Sequence, residues 1–264
     1  MKHEATKIYY EGNTDLVDRS NNFLYLGIVG SRKILNNTKY ILEDLFEELS
    51  LYPNIVVLSG GMYGVDLFVH NLSLKHNLGT ILFLPSGIDV FKKSALYKLL
   101  NLKLTSNYLL YSQFENSFSP RRYTFLKRNK QLVNFSDIVL VAQSSLNSGS
   151  SFSGNYSLSI NKRTFCVPFS PIDIQFQGNN FLISNGANIY LNPKDFIAKI
   201  VNRKSKILEL EEILKFLPSN KDDLLKNFCN DDISLVEKTL LESILKGEIF
   251  YRNGEYIKNN DKSY

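Results

Sequence analysis

Cysteine is scarce in this chain: only Cys166 and Cys229 occur among its 264 residues. Two cysteines so far apart form neither a Cys-x-x-Cys metal site nor a disulfide framework, and they are typical of a reducing compartment. Long apolar runs are also missing, since none approaches the ~18 residues that cross a membrane. The first residues, Met1–Glu4, are polar rather than signal-like. These absences predict a cytoplasmic protein without a disulfide framework or a membrane span.

Signatures of catalysis are missing as well. The segment Gly60–Gly64 is glycine-rich and follows an apolar run, but it matches neither G-x-G-x-x-G nor the Gly-Lys-Ser/Thr of a Walker A loop. The sequence shows no metal-ligand cluster, no paired-carboxylate signature and no Ser or Cys triad. Asp66 and His70 lie one helical turn apart and could form an acid–base pair, but without an activated nucleophile a structural pair that fixes the helix start is favoured. We expect no catalytic residue, no metal and no cofactor.

Positive charge is present but unevenly distributed. The chain has 31 lysines and arginines and 26 acids, for a net charge of +5. Residues 1–202 contain 20 of these cations and 14 acids (+6), whereas residues 203–264 contain 11 and 12 (−1). An A/T-rich genome explains the abundance of Lys, Asn, Ile, Phe and Tyr, but not a local concentration of cations. Any nucleic-acid binding is therefore expected on residues 1–202.

One segment, Ser119–Lys130, combines cations with aromatic rings. Tyr123 and Phe125 lie among its cations, and no acid occurs between Glu115 and Asp137. Cations interleaved with flat rings suit a partner that presents phosphates and unstacked bases. The alternative is a solvated basic face of a helix. The five cations of the segment are Arg121, Arg122, Lys127, Arg128 and Lys130.

Three polar turns each follow a short apolar run, at 23–29, 55–58 and 137–142. Such β-branched runs, alternating with helical patterns, predict βαβ units in an α/β fold: an extended Rossmann-like, doubly wound and mostly parallel sheet. Turns that leave the carboxyl ends of parallel strands form the ligand crevice, where helix N-termini attract anions. The turns are Gly30–Lys33, Ser59–Asp66 and Ser148–Ser151, and they predict an anion site.

The remaining pattern predicts further elements of the sheet and its helices. In the helix predicted over Arg121–Phe135, Leu126 and Leu132 are expected to point inward. Further strands are predicted at Thr80–Leu84, Tyr108–Tyr111, Thr164–Val167 and Asn188–Leu191. Further helices are predicted at Thr38–Ser50, Asp66–Lys75, Lys92–Lys103, Ser153–Ile160 and Pro193–Val201.

A second, smaller domain is predicted over residues 203–264, after a domain of residues 1–202, with a hinge near Arg203–Lys206. Three short helices followed by a β-hairpin is the order of a winged helix, which often reads duplex DNA through its third helix. Here the third helix, Ser234–Lys246, is balanced in charge, which favours a protein-docking or vestigial role. The predicted elements are helices Ile207–Leu217, Asp222–Phe228 and Ser234–Lys246, and a hairpin of Glu248–Tyr251 and Glu255–Lys258.

Five short motifs occur in a specific order, although each is weak alone. They are Gly30-Ser-Arg32; Ser59-Gly-Gly-x-x-Gly-Val-Asp66 with His70; Phe125-Leu-x-Arg-Asn129; Ser148-Gly-Ser150; and Gly178-Asn-Asn-x-Leu-Ile183 followed by Gly186-Ala187. This set resembles the DprA/Smf family, the single-strand DNA-binding proteins of bacterial natural transformation. The resemblance covers residues 8–200, and the tail resembles the small winged-helix domain of many members. Few residues precede the matched core, so we expect the chain to resemble the shorter variants of the family, without the extra helical domain common in it.

The resemblance implies a protein that binds single-stranded DNA, protects incoming DNA and loads the RecA recombinase, by binding rather than chemistry. Arg32 can fork onto a phosphate, with a surface ion pair as the alternative. Phe125 is implied to stack a base, with helix core as the alternative. The turn Ser148–Ser150 can present main-chain N–H groups to an anion. The expected DNA site comprises Ser31, Arg32, Gly60, Gly61, Arg122, Thr124, Phe125, Lys127, Arg128, Asn129, Ser148, Gly149 and Ser150.

Two further expectations come from the same resemblance. Members of the family form homodimers, and the corresponding region here offers an apolar patch that could alternatively be core: Phe181, Leu182, Ile189 and Tyr190. The alternative function is a nucleotide-processing hydrolase of the lysine-decarboxylase-like group, which shares this fold type. That group typically shows Pro-Gly-Gly-x-Gly-Thr, and no such string occurs in this chain.

Overall fold

The computed structural model describes residues 7–100, 102, 106–201, 219–220, 240, 243–244, 249–252 and 254–258. The chain divides into two compact units, Met1–Phe196 and Ile197–Tyr264. The predicted domain boundary at residues 202 and 203 lies outside the described residues and stays a prediction. No helix in the described part of the chain is both long and apolar enough to cross a membrane.

The first unit is built on an eight-stranded sheet with flanking helices. Its strands are β1 (Tyr9–Gly12), β2 (Leu24–Gly30), β3 (Ile55–Gly60), β4 (Gly79–Leu84), β5 (Tyr108–Ser112), β6 (Ile138–Gln143), β7 (Arg163–Cys166) and β8 (Asn188–Ile189). They are ordered β1-β5-β4-β3-β2-β6-β7-β8, and all neighbours are parallel except the antiparallel pair β1 and β5. The predicted Rossmann-like sheet is confirmed. The strand order reverses between β2 and β6, which places the ligand crevice beyond their carboxyl ends.

The helices of the first unit are α1 (Asn36–Leu49), α2 (Val65–Lys75), α3 (Ile88–Lys92), α4 (Ala95–Leu99), α5 (Arg122–Phe135), α6 (Gly149–Ser159) and α7 (Gln177–Ser184). A further helix covers residues 193–201. The strands β3, β4 and β6 are buried along their whole length. Continuous apolar burial is typical of parallel strands covered on both faces. A fully buried Val or Leu side chain there contributes about 1.5–3 kcal/mol to folding.

Helix α5 is held differently at its two ends. At its start, the main-chain N–H of Arg121 donates to Thr124 Oγ1 (3.1 Å), and the first turn contains no acid. At its end, Lys162 Nζ donates to the carbonyl oxygens of Val133 (2.8 Å), Asn134 (2.9 Å) and Ser136. A cation suits the negative end of a helix dipole. Lys162 is therefore committed to the end of α5 and is not a free surface charge.

Several elements differ from the sequence prediction. The helix predicted over Lys92–Lys103 is wrong, because Ser94 Oγ accepts the N–H of Tyr97 (3.3 Å) and starts a new helix, α4, after α3 has ended. Strand β8 has only two residues. Strand β1 was not predicted, because only alternate residues of Tyr9–Gly12 are partly buried. Leu126, expected to point inward, is 45% exposed.

The second unit contains a three-stranded antiparallel sheet, with β9 (Ser219–Asn220), β10 (Ile249–Arg252) and β11 (Glu255–Lys258). The predicted hairpin is therefore present, and its turn contains Gly254 at φ +87°, a conformation that favours glycine. Residues 240 and 243–244 are helical. The other residues of the three predicted helices lie outside the described part, so the winged helix stays a prediction.

Candidate functional site

A pocket of about 530 Å³ opens at the carboxyl edge of the sheet, beside α5. Its walls come from the ends of β2 and β3, from α5 and from the start of α6. Ten of the thirteen residues expected from the sequence line it, namely Ser31, Arg32, Gly60, Arg122, Phe125, Arg128, Asn129, Ser148, Gly149 and Ser150. The structure thus brings segments separated by up to about 120 residues, from Ser31 to Ser150, to one site.

The turns after β2 and β3 contact each other through a glycine. Gly64 has φ +84°, and a Cβ there would lie 2.2 Å from Ser31 O and 2.6 Å from Arg32 Cα. Val65, which follows it, donates its N–H to Ser31 O (3.0 Å). Only glycine adopts this conformation without strain and leaves room for the neighbouring turn. Gly64 therefore sets the position of Arg32 at the pocket.

Arg32 and Phe125 form the rim of the pocket. The Arg32 guanidinium carbon lies 5.3 Å from the centre of the Phe125 ring, within the range of a cation–π contact. Arg32 is exposed and Phe125 is half-buried. Among the described residues Arg32 forms no salt bridge, so the ion-pair alternative is not what the structure shows. A ring with a guanidinium across it presents an apolar face and several N–H donors at one place.

The floor of the pocket is a buried ion pair. Arg128 is only 5% exposed, its Nη1 lies 3.6 Å from Asp66 Oδ2, and it donates to Phe83 O (3.1 Å). Ser59 Oγ is a further partner of Asp66, at 3.2 Å from Oδ1. Burial raises the pKa of the Asp66 carboxyl, and the charge of Arg128 acts in the opposite direction. Arg128 lines the pocket as expected, but its charge is paired with Asp66 inside the chain. A direct contact of Arg128 with DNA stays a prediction.

Gly60 makes space for this pair. A Cβ on Gly60 would lie 1.5 Å from Arg128 Nη1 and 2.3 Å from Asp66 Oδ2. No shift of a flexible side-chain end relieves this overlap, because both groups are buried. Gly60, the last residue of β3, therefore leaves the space at the floor of the pocket that the Arg128 guanidinium occupies.

His70 stabilises the same turn through a hydrogen bond to Gly60. Its Nε2 lies 2.9 Å from Gly60 O, and its Nδ1 lies 2.8 Å from Thr80 Oγ1. Burial lowers the pKa of His70 to about 4, so the ring is neutral at pH 7. Because a carbonyl only accepts, Nε2 carries the hydrogen. The Thr80 hydroxyl hydrogen then has two acceptors within reach, His70 Nδ1 and Val57 O (2.9 Å). The pair of Asp66 with His70 considered from the sequence is wrong, since each side chain has its own partners.

The start of α6 forms the remaining wall. Ser148 Oγ accepts the N–H of Ser151 (3.1 Å) and caps the helix, which is why α6 begins at Gly149 and not at Ser153 as predicted. Asn129 Nδ2 donates to Gly149 O (3.3 Å) and links α5 to this turn. The first N–H groups of a helix have no acceptor within the helix, and the positive end of its dipole attracts anions.

Three expected residues do not line the pocket. A Cβ on Gly61 would face Leu84 and Phe91. Thr124 is buried, where it caps α5. Lys127 lies on the other flank of α5.

Eight lining residues lie outside the expected set, and two of these are exposed side chains that the sequence reading missed. Tyr63 and Leu126 are exposed and line the pocket. Tyr63 could have been found as the one ring within the glycine turn. Leu126 was assigned to the core because apolar side chains in a helix usually point inward.

The expected dimer patch is smaller than predicted. Leu182 and Tyr190 are 0% and 4% exposed, so both belong to the core, which is the correction to that prediction. Leu182 lies against α6, since its Cδ1 would be 2.5 Å from a Cβ on Gly154. The Tyr190 ring lies 5.3 Å from that of Phe196. Phe181 and Ile189 remain exposed.

The fold and the pocket define a class of protein: a Rossmann-like domain with a cation-lined pocket at the carboxyl edge of its sheet. The described residues contain no cluster of three or more His, Cys, Asp or Glu that could hold a metal. The model of the family described as DNA recombination-mediator protein A matches residues 1–201. The chain belongs to this family.

Individual relatives agree with this assignment. The DNA processing protein DprA of Streptococcus pneumoniae is 27% identical over 192 residues, covering 73% of this chain and 66% of the relative. Protein Smf of Synechocystis is 25% identical, covering 81% of this chain and 53% of the relative. The chain thus spans about half to two thirds of the length of these curated relatives.

Two solved structures resemble this chain over about three quarters of its length. DprA of Streptococcus pneumoniae gives a TM-score of 0.66 at 26% identity, covering 73% of this chain and 66% of that one. DNA processing protein A of Helicobacter pylori gives 0.67 at 28% identity, covering 77% and 90%. The latter structure was solved in work on the single-stranded DNA binding mode of that protein.

Proposed function

We propose that this chain binds single-stranded DNA in the pocket beside α5. The observation that carries the proposal is the rim, where an exposed guanidinium lies across a half-buried ring. Single strands offer both phosphates and unstacked bases to such a site. The single-stranded DNA binding of the Helicobacter pylori relative supports the same ligand.

The proposed mechanism is binding rather than chemistry. Arg32 and Arg122 bind phosphates, and the first N–H groups of α6 bind a further phosphate oxygen. A base stacks on Phe125. The buried pair of Asp66 and Arg128 acts through the glycine turn, which it holds in place. Asp66 is the only carboxylate among the lining residues, and its charge is paired, which counts against the nucleotide-hydrolase alternative.

The test is a binding titration of the full chain with a labelled single strand and a blunt duplex of equal length. We expect a strong preference for the single strand, and a log–log salt slope of about −0.7 per phosphate contact. Arg32→Ala should weaken binding of all sequences alike, whereas Lys75→Ala, which removes a cation at an exposed position at the end of α2, should not. Equal affinity for the duplex and the single strand, or an affinity that does not change with salt concentration, would contradict the proposal.

A role in natural transformation goes further: we infer that the bound strand is protected and handed to RecA. Family membership and the names of the relatives support this inference. The direct measurement is RecA-catalysed ATP hydrolysis on single strands already covered by a single-strand-binding protein, with and without this chain. The inference requires stimulation by the chain, and requires that Arg32→Ala reduces it.

We also propose a homodimer through the exposed apolar residues near β8, the edge strand of the sheet. Phe181 and Ile189 supply the surface, and a two-fold pair would place two pockets on one strand. Light scattering should show a two-chain mass that Phe181→Asp reduces to one chain. Tyr40→Asp, at an exposed ring on α1, is the matched control. A one-chain mass for the unaltered protein at micromolar concentration contradicts the dimer.

A further inference from the structure

A second groove lies beside α5, on the flank away from the pocket. Its volume is about 510 Å³, close to that of the pocket. Lys127, Lys130, Gln131 and Asn134 of α5 line it, together with Tyr111 and Gln113 from the end of β5 and the residue after it. We name it the lysine groove. Among its lining residues none is acidic.

The period of α5 separates the lysine groove from the pocket. At about 100° per residue, Phe125 and Asn129 fall on one flank of the helix, and Lys127 and Asn134 fall on the opposite flank. Arg128 lies on the buried face between them. A helix with its side chains is about 10–12 Å across. Helix α5 is therefore a ridge between two grooves, which one strand of several nucleotides can span.

Two lysines give the lysine groove its charge. Among the described residues, Lys127 and Lys130 form no salt bridge. Their ammonium groups lie over aromatic rings, 5.6 Å from the ring centre of Phe114 and 5.3 Å from that of Tyr156. These rings support the lysines without neutralising them. The two charges thus remain available to an anion.

Arg19, the third cation of the lysine groove, is committed within the chain. Its Nη1 forms a salt bridge with Asp137 Oδ1 at 3.2 Å, and its Nη2 donates to Phe135 O. The charge that this groove offers to a ligand therefore comes from Lys127 and Lys130.

The amides of the lysine groove add hydrogen-bonding capacity. Gln113 Oε1 is buried and has no hydrogen-bond partner among the described residues. The Gln113 side chain lines the groove, although this oxygen lies below the groove surface. Gln131 Nε2 donates to the Tyr111 hydroxyl on the same wall. Cations beside polar amides suit the phosphate and sugar of a nucleotide in one strand.

We propose that the lysine groove is a second subsite for the same DNA strand that occupies the pocket. The inference rests on the proposed function. The strand crosses the ridge of α5, where Tyr123 and Leu126 are exposed. Lys127 and Lys130 then bind the phosphates of nucleotides beyond those in the pocket. Lys127 thus contributes to binding from the opposite flank.

The experiment compares the full chain with the double variant Lys127→Gln/Lys130→Gln, using labelled oligothymidylates of about 5 and about 20 nucleotides. The short strand fills only the pocket, and its affinity should change by less than about twofold. The long strand reaches both sites, and it should bind about tenfold more weakly, with a log–log salt slope shallower by about 1.4 for two lost phosphate contacts. Lys75→Gln/Lys98→Gln removes the same charge from exposed positions on α2 and α4 and serves as the control.

The outcomes separate the inference from the proposed function. The lysine groove is overturned as a subsite if the double variant loses equal affinity for both strand lengths. It is also overturned if the affinity falls no further than in the control. If the affinity is unchanged at both lengths, the remaining candidate for the groove is an acidic protein segment. Arg32→Ala is measured with the same two strands. If it weakens both, the pocket assignment stands whatever the lysine variant does. If it weakens neither, the proposed function fails by itself.

Discussion

The floor and the rim of the pocket use the same residue type in opposite ways. Arg128 on the floor is buried against Asp66, and Gly60 is shaped around it. Arg32 on the rim is exposed and touches only the face of Phe125 among the contacts described above. An arginine in a binding motif can therefore either stabilise the site from within or bind the ligand. Burial, and not the motif, distinguishes the two roles.

The largest effect on stability is expected when the ion pair of Asp66 and Arg128 at the floor of the pocket is removed. Arg128→Met removes the partner of a buried carboxylate and should lower the free energy of unfolding by about 3–5 kcal/mol. Urea denaturation followed by circular dichroism measures it. Lys127→Met, the same change at the neighbouring exposed position, should stay within about 0.5 kcal/mol. Similar midpoints for both variants would show that the ion pair does not hold the floor.

The pH dependence of the free energy of unfolding tests whether His70 is held in its neutral form by burial. Its folded pKa is depressed to about 4 from an ordinary 6.5, so the unfolded chain binds the extra proton between these values. The stability contribution is complete above about pH 6.5 and is lost as the pH falls, by about 3 kcal/mol near pH 4. His70→Gln, which cannot take up this proton, should lose less stability over the same range. Parallel curves for the two proteins would contradict the assignment.

A smaller effect is expected at the rim, and on binding rather than on stability. Phe125→Ala should weaken single-stranded DNA binding by about 1–3 kcal/mol if one base stacks on the ring. Tyr40→Ala, at an exposed ring on α1, should cost less, because this ring lies outside both the pocket and the lysine groove. Fluorescence anisotropy measures both. The base-stacking role is rejected if the two variants bind equally well.

The smallest effect on binding should follow removal of residues 203–264. Floor and rim are both built from residues before Phe196, and residues 203–264 have a net charge of −1. A chain that ends at Asn202 should bind single strands within a few-fold of the full chain. Circular dichroism confirms that it is folded. Loss of binding by a folded, shortened chain would move the site to the tail.

The sheet and most of the pocket could be predicted from the sequence, because parallel strands are continuous apolar runs and their glycine turns meet at one edge. The role of Arg128 could not. It follows Thr124 and precedes Leu132 at four-residue spacing, so its position on the buried face is visible in the pattern. Its partner Asp66, however, is distant in sequence, and only the fold brings the two charges together.

The burial of Leu182 and Tyr190 within the expected dimer patch could not be predicted from the sequence either. Leu182 and Phe181 are adjacent in α7, yet one is core and the other is exposed. A short amphipathic helix does not reveal which neighbour faces the sheet when both are apolar. The lysine groove was also not foreseen, because two lysines on a helix flank look like an ordinary solvated face.

The arginines at the start of α5 oppose the dipole of their own helix, since Arg121 and Arg122 lie at its positive end and no acid lies in the first turn. In the free protein this turn should fray, and its amide hydrogens should exchange with solvent faster than those near Leu132. A bound phosphate reverses the local field. Amide exchange in the first turn of α5 should therefore slow on binding, while exchange at its lysine-capped end stays the same. The same two charges that weaken the helix in isolation would make its order dependent on ligand.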